Sequence, residues 1–418
     1  MKKILSLAVL TAGLWSCKSS APALQNGAWQ ARLHRADGAN IVFNFEVTDS
    51  AEKKVLHIIN AKERLLVDSI RQEGDSVFIR MPFFDSEFKT ALQPDGSLKG
   101  QWIRHLAKED VAIEFSAEPG KRERFSAPAS SQLNISGRWP AYFTSPEGRD
   151  SSFAIGEFSQ QGSRVTGTFL TSTGDYRFLE GVIAGDTLKL STFDGSHAYL
   201  LTAKVENDST ISNGIFYAGI SGREIWTARK DDRAALPDER SLTTVKPDST
   251  RLDFRFPDIN GNQVSIRDDR FKGKVVIVQL AGSWCPNCMD ETAYLSEWYR
   301  KNKDRGVEIV ALAYERTTDE ERSRRGALSF IKRFNLEYPV LLTGVTPSDK
   351  ERTEKTLPQL TPVKGFPTTI FLDKTGKVRE VHTGFNGPGT GVHYEEFQQN
   401  FNRLVDQLLA EKSPEGIL

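Results

Sequence analysis

From Asn26 to Lys230 the chain alternates apolar and polar positions in short runs, without long helical periodicity, and turn signals such as Glu73-Gly74-Asp75 and Pro94-Asp95-Gly96 cut the runs. This pattern predicts antiparallel strands. Beyond residue 250 the pattern changes. Residues 252–256 and 263–266 flank Asn260-Gly261, a hairpin turn. The apolar run 275–280, rich in β-branched residues, reads as a buried strand, and helical spacing follows from Met289 to about Lys303. A strand is expected at 307–314 and a helix at 317–335, where Leu328, Ile331 and Phe334 share one side. A short strand at 338–342, an irregular polar insertion at 343–362, strands at 369–372 and 378–383 and a closing helix from about 394 to 411 complete the pattern.

The β-rich half repeats itself. Asn26-Gly27-Ala28-Trp29 answers Ser136-Gly137-Arg138-Trp139, Gly74-Asp75 answers Gly185-Asp186, Phe84-Asp85 answers Phe193-Asp194, and Gly100-Gln101-Trp102 answers Gly214-Ile215-Phe216. Four landmarks in the same order, at offsets of 110, 111, 109 and 114, indicate a tandem duplication of one all-β unit, each copy a small barrel or sandwich. The copies are placed at 26–117 and 136–229, with a Pro- and Gly-bearing linker at 118–132 and a charged, Pro-bearing one at 230–250. Trp29, Trp102, Trp139 and Trp226 recur at equivalent positions and read as core. The role assigned to the two units is a spacer, with a partner-binding clamp as the alternative.

The chemistry concentrates at Trp284-Cys285-Pro286-Asn287-Cys288, between the apolar strand and the helix. Pro286 suits the first helical position, which puts Cys285 at the helix N-terminus. There the free N–H groups and the positive end of the dipole favour a thiolate, so Cys285 is the expected nucleophile, exposed to its substrate, and Cys288 the inward-facing partner that closes a disulfide with it. A purely structural disulfide closing so short a ring removes little chain entropy. A zinc site needs two further ligands, and the six histidines show no paired ligand spacing.

Residues 252–409 resemble a thioredoxin-fold protein of the TlpA/ResA type, the exported, membrane-anchored thiol-disulfide oxidoreductases. The matching motifs are Lys272-Gly273-Lys274-Val275-Val276, the Trp-Cys-x-x-Cys, Glu291 three residues after the second cysteine, and Gly365-Phe366-Pro367-Thr368-Thr369. The resemblance implies an α/β thioredoxin-like domain at 251–412, which follows the two tandem all-β units. It also implies a cis bond at Phe366-Pro367 facing the cysteines, and substrate contacts from Trp284, Pro286, Phe366 and Pro367. One departure stands out: thioredoxin itself has a buried Asp six residues before its first cysteine, where this chain has Gln279. Glu291, one helical turn beyond Cys288, becomes the candidate proton acceptor, and the family links it to tuning of the cysteine pair.

The N-terminus fits export. Lys2 and Lys3 precede an apolar stretch at 4–15, too short to span a bilayer, and Leu14-Trp15-Ser16-Cys17 resembles a bacterial lipobox. The expectation is a signal peptide at 1–16, cleavage before Cys17, lipid on its sulfur, and a periplasm-facing lipoprotein of the cell envelope, in the inner or outer membrane. Three cysteines then divide into one for lipid and two for redox chemistry. Lys and Arg total 55 against 55 Asp and Glu, and loss of Lys2 and Lys3 leaves 53 against 55, which excludes a basic nucleic-acid footprint. The function read from these features is exchange of a Cys-x-x-Cys dithiol with disulfides of exported proteins, as a reductase fed by a membrane electron donor and with no cofactor or metal. Two alternatives are a copper-delivering protein using the Cys pair with His382 or His393, and a thiol peroxidase. The peroxidase pattern would need Pro and Thr where Val278 and Gly282 stand.

Overall fold

The computed structural model describes residues 23–51, 53–106, 108–127 and 131–412. Nine antiparallel strands between Gly27 and Pro119 form one sheet, in which the first strand, Gly27–His34, pairs with both the second, Asn40–Ser50, and the last, Asp110–Pro119. The sheet curls nearly to closure but leaves Glu63–Val67 and Ser69–Glu73 as its two edges. A second nine-stranded sheet, Gly137 to Arg229, repeats the strand order and closes fully. Its fourth strand has shrunk to Gly174–Asp175, so Arg164–Thr171 pairs directly with Leu179–Ala184. The fold class anticipated from the sequence is therefore the observed one.

Each sheet wraps an aromatic core. Trp29, Trp102 and Trp139 are fully buried and Trp226 nearly so. The Nε1–H groups of Trp29 and Trp139 donate to Gln25 O and Ile135 O at 3.1 and 2.7 Å, the same bond 110 residues apart. The two cores also touch: Phe43 stacks on Phe193 at 4.2 Å, and Asn60 Nδ2 donates to Phe193 O at 2.8 Å. Arg124, in the stretch expected to be a linker, is buried between the sheets and donates to Asn44 Oδ1, Asn60 Oδ1 and the carbonyls of Ile59 and Ser191. A segment holding that many buried acceptors is a brace rather than a hinge.

The thioredoxin-like domain has a five-stranded sheet in the order Val340–Leu342, Val307–Ala313, Val275–Ala281, Thr368–Leu372, Val378–Thr383. The first three strands are parallel and the last two antiparallel. Val275–Ala281 is central and buried at every position, which explains its lack of alternation. Helices Pro286–Asn302, Glu320–Phe334 and Val392–Ala410 match the expected elements to within a few residues. The start of Glu320–Phe334 is fixed by the Asp319 side chain, which accepts from Arg322 N, and its end by left-handed Asn335. The insertion at 343–362 is not wholly irregular, since it contains the short helix Arg352–Thr356. Residues 230–250 are docked on the domain, with Val245 bridged to Leu360 and Lys246 N bonded to Gln359 O.

The spacer expectation needs correcting, because both β-sheets pack on the face that carries the cysteines. Phe83 of the first sheet stacks on Phe334 and meets Phe330 edge-on, while Arg322 donates to the carbonyls of His105 and Leu106. The second sheet reaches the Cys-x-x-Cys helix itself, through residues 173–177.

Candidate active site

The central strand delivers Gly282-Ser283-Trp284 into a turn, and helix Pro286–Asn302 starts immediately after Cys285. Cys285 has extended backbone and is the N-cap; its Sγ accepts from Cys288 N at 3.1 Å. Pro286 at the first helical position has no N–H to leave unsatisfied. The one-turn spacing puts the two cysteines in reach, and they form a disulfide with Cα atoms 5.2 Å apart. In the reduced state the same N–H and helix terminus would stabilise a Cys285 thiolate.

The Phe366–Pro367 peptide is cis, and Phe366 O lies 3.6 Å from Cys285 Sγ. Trp284 and Phe366 meet edge to face at 5.9 Å and pack with Ala281 around the disulfide. Trp284 Nε1 donates to Tyr314 O at 2.7 Å, fixing the indole. The structure thus brings together Cys285, Cys288, Trp284, Pro286, Phe366 and Pro367.

Glu291 lies behind the cysteines with no exposure at all. Gln279 Nε2 donates to one carboxylate oxygen at 2.8 Å and Thr369 Oγ1 to the other at 2.6 Å. Burial pushes the Glu291 carboxyl up to about 7, against the opposing effect of those two donors. Gln279 therefore supports this acid rather than titrating in its place. In the oxidised protein the raised value has a definite consequence for stability. Between about pH 4.5 and 7 the folded state binds a proton that the unfolded state has released, so stability present below pH 4.5 falls as pH rises through 7. The loss attributable to this group is on the order of 3 kcal/mol. Denaturant unfolding of the oxidised Glu291→Gln variant should show a flatter decline than wild type over that window; parallel pH profiles would mean the carboxyl is not perturbed.

Cys285 does not have the exposure expected of it: its relative accessibility is 4 % and that of Cys288 is 0 %. Ala281, Trp284 and Phe366 pack around Cys285, and the second β-sheet packs on the residues beside it. Gly174 abuts Asn287, Asp175 accepts from Asn287 Nδ2 at 3.2 Å and from Gly387 N at 2.8 Å, and Ser196 Oγ lies 3.5 Å from Trp284 O. Thr173 sits against Gly365 and Gly384, the glycines either side of the cis-proline loop in space. A Cβ at Gly384 would lie 2.7 Å from the Thr173 carbonyl carbon, and its φ of +89° also favours glycine.

A buried ion cluster fastens this contact. Arg177 makes a fork to Asp290, two residues after Cys288, at 2.8 and 3.0 Å, and also pairs with Asp194 at 3.1 Å and with Glu63 of the first sheet at 2.6 Å. One guanidinium thus ties all three modules. Burial opposes its charge, but the carboxylates of Asp290, Glu63 and Asp194 outweigh burial and hold its pKa above the usual arginine value. Burial pushes neighbouring Asp175 up to about 6. None of these residues was read from the sequence as part of a site, Asp194 standing only as a repeat landmark. The available signal was divergence between the repeats, since at an offset of 111 the first unit has apolar Leu66 where the second has Arg177.

His382 and His393 are engaged away from the cysteines. His393 bonds to Glu157 of the second sheet at 2.9 Å, and His382 lies beside Phe397 and Glu239. Cys17 and the segment 1–16 lie outside the described residues. No helix among the described residues is long and apolar enough to cross a membrane.

A disulfide at the N-terminus of the first helix after a central strand, faced by a cis-proline, defines the thioredoxin-like class with a Cys-x-x-Cys centre. Residues 246–396 match the Redoxin family model. The thiol-disulfide oxidoreductase ResA of Bacillus thuringiensis subsp. konkukian is 32% identical over 125 residues, 30% of this chain and 62% of that protein. ResA of Geobacillus kaustophilus is 30% identical over 142 residues, 34% of this chain and 72% of that protein. A thiol:disulfide interchange protein DsbE from Chlorobium tepidum aligns with 39% of this chain and 99% of its own at 23% identity and a TM-score of 0.30. The chain belongs to the ResA family of thiol-disulfide oxidoreductases. It spans 62% of the length of the first of these relatives.

Proposed function

We propose that this protein is a thiol-disulfide oxidoreductase acting on disulfides of exported proteins through Cys285 and Cys288. The observation that carries the reading is the placement of Cys285 Sγ, at a helix N-terminus, 3.1 Å from Cys288 N and 3.6 Å from the carbonyl that precedes the cis-proline. In the reductive direction the Cys285 thiolate attacks one sulfur of a client disulfide; that bond breaks, a mixed disulfide forms, and the first client thiolate leaves. Cys288 then loses its proton and attacks Cys285 Sγ, releasing the second client thiolate. Two electrons pass to the client and the Cys285–Cys288 disulfide remains. Glu291, buried one turn from Cys288 and with a pKa near neutrality, is the group assigned to hold that proton. Trp284, Pro286, Phe366 and Pro367 form the wall against which the client strand lies.

Reduction is the assigned direction, with electrons supplied by a membrane-borne donor, and Cys17 is the assigned lipid anchor on the periplasmic side of the envelope. These rest on the lipobox-like sequence, the economy of cysteines and the family. The division into units 26–117 and 136–229, a connector at 230–250 and a redox domain at 251–412 is supported by the matching strand order of the two sheets.

The Cys288→Ala variant tests the reading. Reduced and mixed with a disulfide-bonded protein, it should accumulate a one-to-one adduct linked through Cys285 that dithiothreitol releases. Absence of any adduct, or linkage elsewhere, would contradict it.

A further inference from the structure

Beside the Cys-x-x-Cys motif, at its seam with the first β-sheet, is a cavity of about 220 Å³. One wall is the Trp284 indole and another is Phe83 and Phe84 of the first sheet. Its polar lining is dominated by arginine. Arg316 lies over the Trp284 ring at 5.0 Å, and Arg80 and Arg325 complete the rim. None of these three guanidiniums pairs with a carboxylate among the described residues. A fourth, Arg322, is taken up by the carbonyls of His105 and Leu106 and by Asp85 at 3.3 Å.

The acids that line the cavity offset its positive charge only in part, Glu315 acting on the adjacent Arg316 through its charge without forming an ion pair. Asp85 is the partner of Arg322, and Glu315 accepts from Ser283 N and Ser283 Oγ at 2.9 and 2.7 Å, with burial raising its pKa. His105 is held by Asp110 and Glu87. Arg316 has lost much of its hydration: burial, with Arg104 nearby, pushes its pKa down to about 10, so it stays charged at neutral pH while poorly solvated. A guanidinium in that state gains more from an incoming carboxylate than a solvated one does. The cavity is smaller than the usual range for drug-sized ligands, about 300–1,000 Å³, and suits one side chain.

From this arrangement we infer that the cavity is a specificity subsite for an acidic residue beside the reactive cysteine of an extended client segment. The inference rests on the disulfide-exchange reading and narrows its substrate class. Trp284 is shared by the cavity and the motif, so a client strand whose sulfur reaches Cys285 would carry a neighbouring side chain past the indole, at about 3.3–3.6 Å per extended residue. The first β-sheet then serves the reaction by closing a pocket that the thioredoxin-like domain alone would leave open on one side.

The test uses three peptides of equal length, each holding one disulfide whose cysteine is flanked by Glu, Gln or Lys, reduced by the full chain with dithiothreitol as recycling reductant. Expected is kcat/KM in the order Glu, Gln, Lys, with at least a tenfold span that narrows as salt is raised. Arg316→Gln should compress the Glu-to-Lys ratio. Arg325→Gln, at an exposed position where misfolding is of least concern, should compress it by a smaller factor. Equal rates for the three peptides in wild type, or an unchanged ratio in both variants, would overturn the subsite while leaving disulfide exchange intact. Failure to open any of the three would instead remove the exchange reading, and the subsite with it.

Discussion

Cys285→Ser drops disulfide exchange to the uncatalysed background, while the protein keeps its fold. The serine hydroxyl is of nearly the same size and can still accept from Cys288 N, so the helix start is preserved. What is lost is the nucleophile: exchange requires a thiolate, and an unactivated serine hydroxyl is not ionised near neutral pH. Cys288 cannot substitute for it, being fully buried and inside the first helical turn rather than at its end. The measurement is the single-turnover rate with a disulfide peptide, beside circular dichroism of the same sample. Retention of more than a small fraction of the wild-type rate would move the nucleophile to Cys288 or elsewhere.

Arg177→Met should loosen the seam between the second β-sheet and the cysteines. Its side chain is 3 % exposed and Asp194 is 1 % exposed, with Asp290 and Glu63 at 9 and 10 %. Removing the cation leaves Asp290 and Glu63 without their buried partner and Asp194 with only His197, and breaking one buried pair in this way typically costs about 3–5 kcal/mol. The carboxylates can escape that cost by swinging into water, which requires the module junction to open. Two changes are therefore expected together: a lower unfolding midpoint, and faster alkylation of reduced Cys285, because Thr173 and Gly174 no longer press on the cis-proline loop and Asn287. Arg177→Lys keeps the charge but not the fork to Asp290, and should fall between. A methionine variant with wild-type stability and wild-type alkylation would show that the cluster neither fastens the junction nor limits access.

The legible parts of this molecule were those with a local signature. The central strand announced itself by an apolar, β-branched run without alternation, the Cys285 helix by Pro286, and the cis peptide by a Pro within a family motif. The two β units were visible because the Gly-x-Trp landmark at Trp29 recurs 110 residues on at Trp139, both fully buried. The packing of the second sheet around the motif was not visible, because it comes from Thr173 to Asp175, over 100 residues away, in a stretch where the second copy departs from the first by shrinking a strand to two residues. Arg177 was equally silent. It is one of 55 basic residues, and only the three-dimensional convergence of Glu63, Asp194 and Asp290 distinguishes it from a solvated one. The spacer reading failed for the same reason, since contacts between modules leave no periodicity in the chain.

Whether Cys285 and Cys288 form a reversible redox pair is decided by equilibrating the full chain with graded mixtures of reduced and oxidised dithiothreitol and counting its free thiols by alkylation and mass. One transition is expected, in which both cysteines change state together along a two-electron curve of about 30 mV per tenfold change in ratio. A pair that stays oxidised or reduced across the whole range, or two cysteines that titrate separately, would contradict it.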